Sequence, residues 1–153
     1  MRKFEFTLGR ILDYRQSLLE KEKNTLMQMF ARRNQLETQL ERSKNGYTAL
    51  SRELTALSAS GTTAVELQRL DLKLRASKAI VKEQTQQLAA QEQQIDQQRQ
   101  TVVEASREVA ALEKLRDHQR EDYDAAVRKE ETERIAEIVS SQVARGENGM
   151  PKL

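Results

Sequence analysis

The sequence predicts an all-α protein: a long two-helix antiparallel coiled-coil hairpin whose C-terminal helix extends past the N-terminus. Three observations carry this expectation. Five Gly and one Pro among 153 residues are too few turn formers for an all-β fold or an α/β fold with many loops. Apolar residues recur at sevens in two registers three apart, a spacing that lines both along one narrow helix stripe. Helix stop and start signals coincide at one interior place, around Gly61.

Helix 1 is expected over about residues 7–58. Phe4-Glu5-Phe6 alternates briefly, and Thr7 then offers a capping side chain. One register reads Leu12, Leu19, Leu26, Arg33, Leu40, Tyr47 and Leu54; the other reads Leu8, Arg15, Glu22, Met29, Leu36, Ser43, Leu50 and Leu57. The pattern stops at residues 58–63, where Gly61 suits the left-handed conformation that ends a helix. Thr63 and Glu66 match the capping-box spacing that starts one.

Helix 2 is expected over about residues 64–144. Leu67, Leu74, Val81, Leu88, Ile95, Val102 and Val109 recur at strict sevens, against Leu70, Ser77, Gln84, Gln91, Gln98, Ala105 and Leu112. Residues 84–100 hold nine Gln. Gln suits a solvated helix surface, but Gln84, Gln91 and Gln98 fall on the seam and weaken it there. After Leu115 the phase slips: Arg116 and Gln119 take the seam places, while Tyr123, Val127, Ile135, Ile138 and Val139 suggest a shifted stripe. Residues 145–153, with Gly146, Gly149 and Pro151, read as a disordered tail, leaving 1–144 as one hairpin domain.

Folding at Gly61 pairs residues whose numbers sum to 124. Leu57 then meets Leu67, Leu50 meets Leu74, Leu36 meets Leu88, Met29 meets Ile95 and Leu12 meets Leu112. Large faces small where Tyr47 meets Ser77 and Leu19 meets Ala105, which keeps layer volume even. Arg33 falls opposite Gln91, whose amide oxygen can accept from the guanidinium. A parallel homodimer would instead stack Gln on Gln for three heptads. Helix 1 would be ~75–80 Å long, and roughly 25 residues of helix 2 overhang the base with no helix-1 partner left.

The function classes narrow by elimination. Lys and Arg number 26 against 24 Asp and Glu, a net charge of +2, and the signs alternate. Nucleic-acid binding would need a clustered basic face, so no nucleic-acid partner is expected. There is no Cys, hence no disulfide framework or thiolate site. The N-terminus lacks an apolar signal region, and no apolar run approaches the ~20 residues that cross a bilayer. A cytoplasmic protein without direct membrane insertion is expected. The lone His118 and the acid pairs Glu121-Asp122 and Glu130-Glu131 read as a charged helix face, since a rod offers no concave pocket to desolvate them. No Gly-rich phosphate loop exists. No enzyme activity, catalytic residue, cofactor or metal is expected.

Protein–protein recognition remains. Ile11 and Leu18 widen the apolar strip at the base of helix 1, and Leu115, Tyr123, Val127, Ile135 and Ile138 lie on the overhang. Either this end waits for a partner's groove or pore, or it folds back, frays or self-associates.

Two blocks carry a family resemblance. The first is Phe4-x-Phe6-x-Leu8-x-x-Ile11-Leu12-x-x-Arg15; the second is Val109-x-x-Leu112-Glu113-Lys114-Leu115, followed by Tyr123 and a mixed-charge run through Arg134. With its length, heptads and turn position, the chain resembles the FliJ family of flagellar type III export proteins, departing at Ala136, where the family often has Asp. The resemblance implies a cytoplasmic component, peripheral at the inner face of the inner membrane. It would act as a stalk for the hexameric flagellar export ATPase, contact the export-gate membrane protein and handle export chaperones. It also implies that Phe6, Leu8, Leu12, Arg15, Leu112, Leu115 and Tyr123 lie at the end that enters the ATPase ring, and that Leu40, Tyr47, Leu70 and Leu74 face the gate. The stalk of a virulence type III secretion system, or a generic homodimeric coiled-coil scaffold, is the alternative.

Overall fold

The computed structural model describes residues 2–149, and side chains through residue 146. Two helices account for almost all of them: α1, Gly9–Ser60, of 52 residues, and α2, Ala64–Gly149, of 86 residues. The chain divides into two compact units, Leu18–Ala105 and Met1–Ser17 with Ser106–Leu153.

The first unit contains the turn. Gly61 has φ 85°, and its N–H donates to the Leu57 carbonyl at 3.0 Å, which closes α1 with a left-handed cap. Thr63 Oγ1 accepts from the Glu66 N–H at 3.2 Å, so the expected Thr cap opens α2. The heptad positions form the buried stripe as anticipated: Leu36, Leu40, Leu70, Ile95 and Ala105 are buried, and the intervening seam residues are half-buried. Ile95, 2% exposed, is the most deeply placed large side chain.

The seam glutamines do something other than weaken the stripe. Gln91 Nε2 donates to the Met29 carbonyl at 3.1 Å, and Gln98 Nε2 donates to the Glu22 carbonyl at 3.0 Å. Each acceptor lies four residues from the expected facing position, Arg33 for Gln91 and Leu26 for Gln98, a shift of about one turn of α1. Gln91 does not accept from Arg33. The Arg33 guanidinium instead lies 5.0 Å from the Phe30 ring and 3.8 Å from Glu37, and its Nε is buried without a hydrogen bond. Arg99, from α2, covers the same ring at 5.3 Å. Gln84 differs from the other two: its Oε1 is buried with no partner.

The second unit begins with a segment, residues 2–6, that belongs to no helix or strand and enters α1 through a turn in which the Gly9 N–H donates to the Phe6 carbonyl at 3.0 Å. The helix therefore starts two residues later than expected, and on a backbone turn, not on a Thr7 cap. Leu12 and Val109 are buried where α1 and α2 meet. At the other end α2 continues to Gly149, beyond the expected 144, and residues 150–153 of the expected tail lie outside the described residues.

Candidate interaction surface at the terminal unit

The phase slip expected after Leu115 does not occur there. Arg116, Gln119 and Tyr123 continue the register half-buried, and the 3-4 alternation breaks only at Val127, where a second step of four replaces the expected three; Leu115 is 39% exposed. The reason is a cover that periodicity does not reveal. The N-terminal segment that precedes α1 reaches α2 at Arg120 and Tyr123. Phe4 packs there, and Phe6 and Leu8, like Phe4, are half-buried. The overhang thus lacks a helical partner, as expected, but it is not bare.

One cluster holds this segment. The Phe4 and Tyr123 rings tilt at 57° with centroids 5.5 Å apart. The Arg120 guanidinium lies 5.0 Å from the Phe4 centroid and 5.9 Å from that of Tyr123. The Tyr123 hydroxyl donates to the Arg2 carbonyl. Ordering residues 2–8 costs about 7 kcal/mol at the low end of backbone entropy. Half-burying two Phe and one Leu returns ~2–5 kcal/mol, and the ring pair, cation–π contacts and hydrogen bond add about 2–4. The two sides nearly cancel, so the segment is held by a small margin.

The helices of this unit are joined at the side by Arg15 and Glu108, 2.7 Å apart, and by Gln16 Nε2 donating to Glu113 Oε1 at 3.2 Å. Beyond the cover, every described side chain from 131 to 146 is exposed. Ile135, Ile138, Val139 and Val143 are 51–61% exposed and fall on one side of α2. His118 is exposed and 3.9 Å from Glu121.

The candidate ring residues separate into groups. Leu12 is 3% exposed and belongs to the helix seam, as half-buried Leu112 does. Phe6, Leu8 and Tyr123 belong to the cover and the face beneath it, and Arg15 is engaged with Glu108. Leu115 is outward-facing, with Ile11 and Tyr14 on α1 at 48% and 64% exposure.

In the turn-containing unit, Leu40 and Leu70 are seam residues at 7% and 6% exposure, and Tyr47 and Leu74 are half-buried. A partner reaching Leu40 or Leu70 must part the helices. The sequence reading missed another stripe there: Val65, Leu72 and Ile80 are exposed on the outer side of α2. Exposed Arg69 falls inside it, between Leu72 and Ile80 around the helix, Lys73 lies beside Ile80, and Arg75 and Lys82 border the other side. Its signal was present as apolar residues seven and eight apart, out of phase with the seam.

Among the described residues, no helix is long and apolar enough to cross a membrane. Comparison with curated proteins and with solved structures finds no match. The family model described as flagellar FliJ protein matches residues 4–148. That span takes in the N-terminal cover, both helices and the exposed stripe of α2, and the chain belongs to the FliJ family of flagellar export proteins.

Proposed function

We propose that the terminal unit acts as a stalk in the central opening of the hexameric flagellar export ATPase, while the turn-containing unit engages the export-gate membrane protein and export chaperones at the cytoplasmic face of the inner membrane. The observation that supports the stalk role is the α2 extension: Ile135, Ile138, Val139 and Val143 are apolar, exposed and without a helical partner. An exposed apolar stripe of this kind fits a surface that seats against another protein.

A single pair of helices has no six-fold symmetry, so in a hexameric ring it touches different subunits differently. It can bias hydrolysis without approaching nucleotide. Residues 113–137 carry both signs of charge, and pairs such as Arg120–Asp124 at 3.5 Å are surface pairs. Each is worth ~0–1 kcal/mol, so ring contacts would exchange readily and no angular position would be a deep trap. For the gate, the outward stripe of Val65, Leu72 and Ile80 with its basic flanks is better placed than the seam residues Leu40 and Leu70.

The test is the ATPase rate of the cognate hexamer with and without this protein, then with Ile135→Asp plus Ile138→Asp. Both positions are exposed, so the double variant keeps its helicity by circular dichroism. Stimulation by the wild type and its loss in the double variant is expected. A hexamer indifferent to the wild type overturns the stalk role, and full stimulation by the double variant overturns the assignment of the contact to this stripe.

A further inference from the structure

We infer that residues 2–8 are a displaceable strap, covering in cis the inner part of an α2 docking face that runs from Arg116 to Ile138, and that a partner takes the whole of this face only when the strap lifts. Four observations carry it. Residues 2–6 of the strap belong to no helix or strand. Among the described residues its fastening is local: one aromatic pair, one arginine clasped by two rings and one hydrogen bond to the Arg2 carbonyl, all at Tyr123 and Arg120. Arg2, Lys3 and Glu5 are exposed and add no ion pair to α2 among the described residues. The junction with α1 is Gly9, where a helix frays easily.

The covered face does not end where the strap ends. Ile138 follows Val127 by three turns of α2, about 20° around the axis, with Ile135 beside it. Val127 is half-buried and Ile135 and Ile138 are exposed. Lifting the strap therefore uncovers Tyr123 on the side of α2 that also carries Val127 and Ile138, with Glu131 and Arg134 between those two. A partner seated on the outer part gains the inner part by displacing the strap, and the strap in turn hides that part until a partner competes for it. That the competitor is the ATPase ring rests on the function proposed above; the strap's two positions do not.

The chain has no native Cys, so spin labels on Lys3→Cys and Ala125→Cys report the strap directly in the full chain; both positions are exposed. Two distance populations are expected, a short one with the strap closed and a long one with it lifted. Arg120→Ala and Tyr123→Ala should each raise the long-to-short ratio severalfold, and a saturating amount of the cognate hexamer should raise it in the unmutated background. Only a short distance that both substitutions leave in place, or only a long one, overturns the strap. Populations unmoved by a hexamer that does bind, as judged by co-sedimentation, overturn the competition. A hexamer that fails to co-sediment sinks the stalk reading and with it the competition, while the substitution series still decides the strap.

Discussion

Gln84 and Gln91 occupy equivalent seam positions one heptad apart, yet only Gln91 has a hydrogen-bond partner across the seam. Its amide donates to the Met29 carbonyl, whereas Gln84 Oε1 is buried and unpaired. Gln→Leu at the two sites therefore removes different things. At either position the new side chain is half-buried and gains ~1 kcal/mol from apolar area. Gln91→Leu forfeits a bond worth about 1 kcal/mol, so the effects cancel. Gln84→Leu forfeits no bond and relieves an unsatisfied acceptor, about 1 kcal/mol at the low end of that penalty, and it sets Leu against the expected neighbour Leu40, which is 7% exposed. Gln84→Leu should stabilise by ~1–2 kcal/mol and Gln91→Leu should be near neutral. At ~2–4 °C per kcal/mol for a chain of this size, the Gln84 variant should melt several degrees higher. Urea titration followed at 222 nm measures both, with an unchanged m-value as the check that the unfolded state is the same. A Gln84→Leu protein no more stable than Gln91→Leu would refute the claim that partner satisfaction distinguishes these layers.

Four further substitutions test the frame. Gly61→Ala meets no atom within 4 Å but must hold φ 85°, so it should cost ~1–2 kcal/mol from backbone strain alone, read in the same urea titration. Gly46→Ala lies within α1 with equally open space around its Cβ and should stabilise by ~0.5–1 kcal/mol in a thermal melt. Ile95→Ala should cost ~2–5 kcal/mol, while Met27→Ala, at 69% exposure, should stay within ~0.5 kcal/mol; equal effects would contradict the assigned seam.

The two helices and their seam were legible because one physical signal, apolar side chains at 3-4 spacing, specifies both the stripe and its partner. Gly61 and Thr63 were legible because each does a job that few residue types can do. The glutamine layers were misjudged as weak points. Residue type tells that Gln is polar, but not that a main-chain carbonyl of the other helix lies within reach. Arg33 failed for a related reason: Phe30 is a neighbour on its own helix, and side-chain pairing across the seam was not its best use. The strap escaped notice because residues 2–6 carry only a three-residue alternation, too short to assign a partner. The half-burial of polar Arg116 and Gln119 and the Phe4–Tyr123 contact reveal the cover only once the chain is folded. The gate candidates were drawn from the strongest heptad positions, and those are the residues the fold itself consumes. Val65, Leu72 and Ile80, off the heptad, were left for the surface.

The bond from Gln91 to Met29 lands on a carbonyl, and every residue type supplies a carbonyl. Any residue a helix tolerates at position 29 would leave this acceptor in place. Gln91 thus acts as a vernier mark read against the opposing main chain. It fixes how far one helix has slid along the other while leaving the facing side chains free to vary.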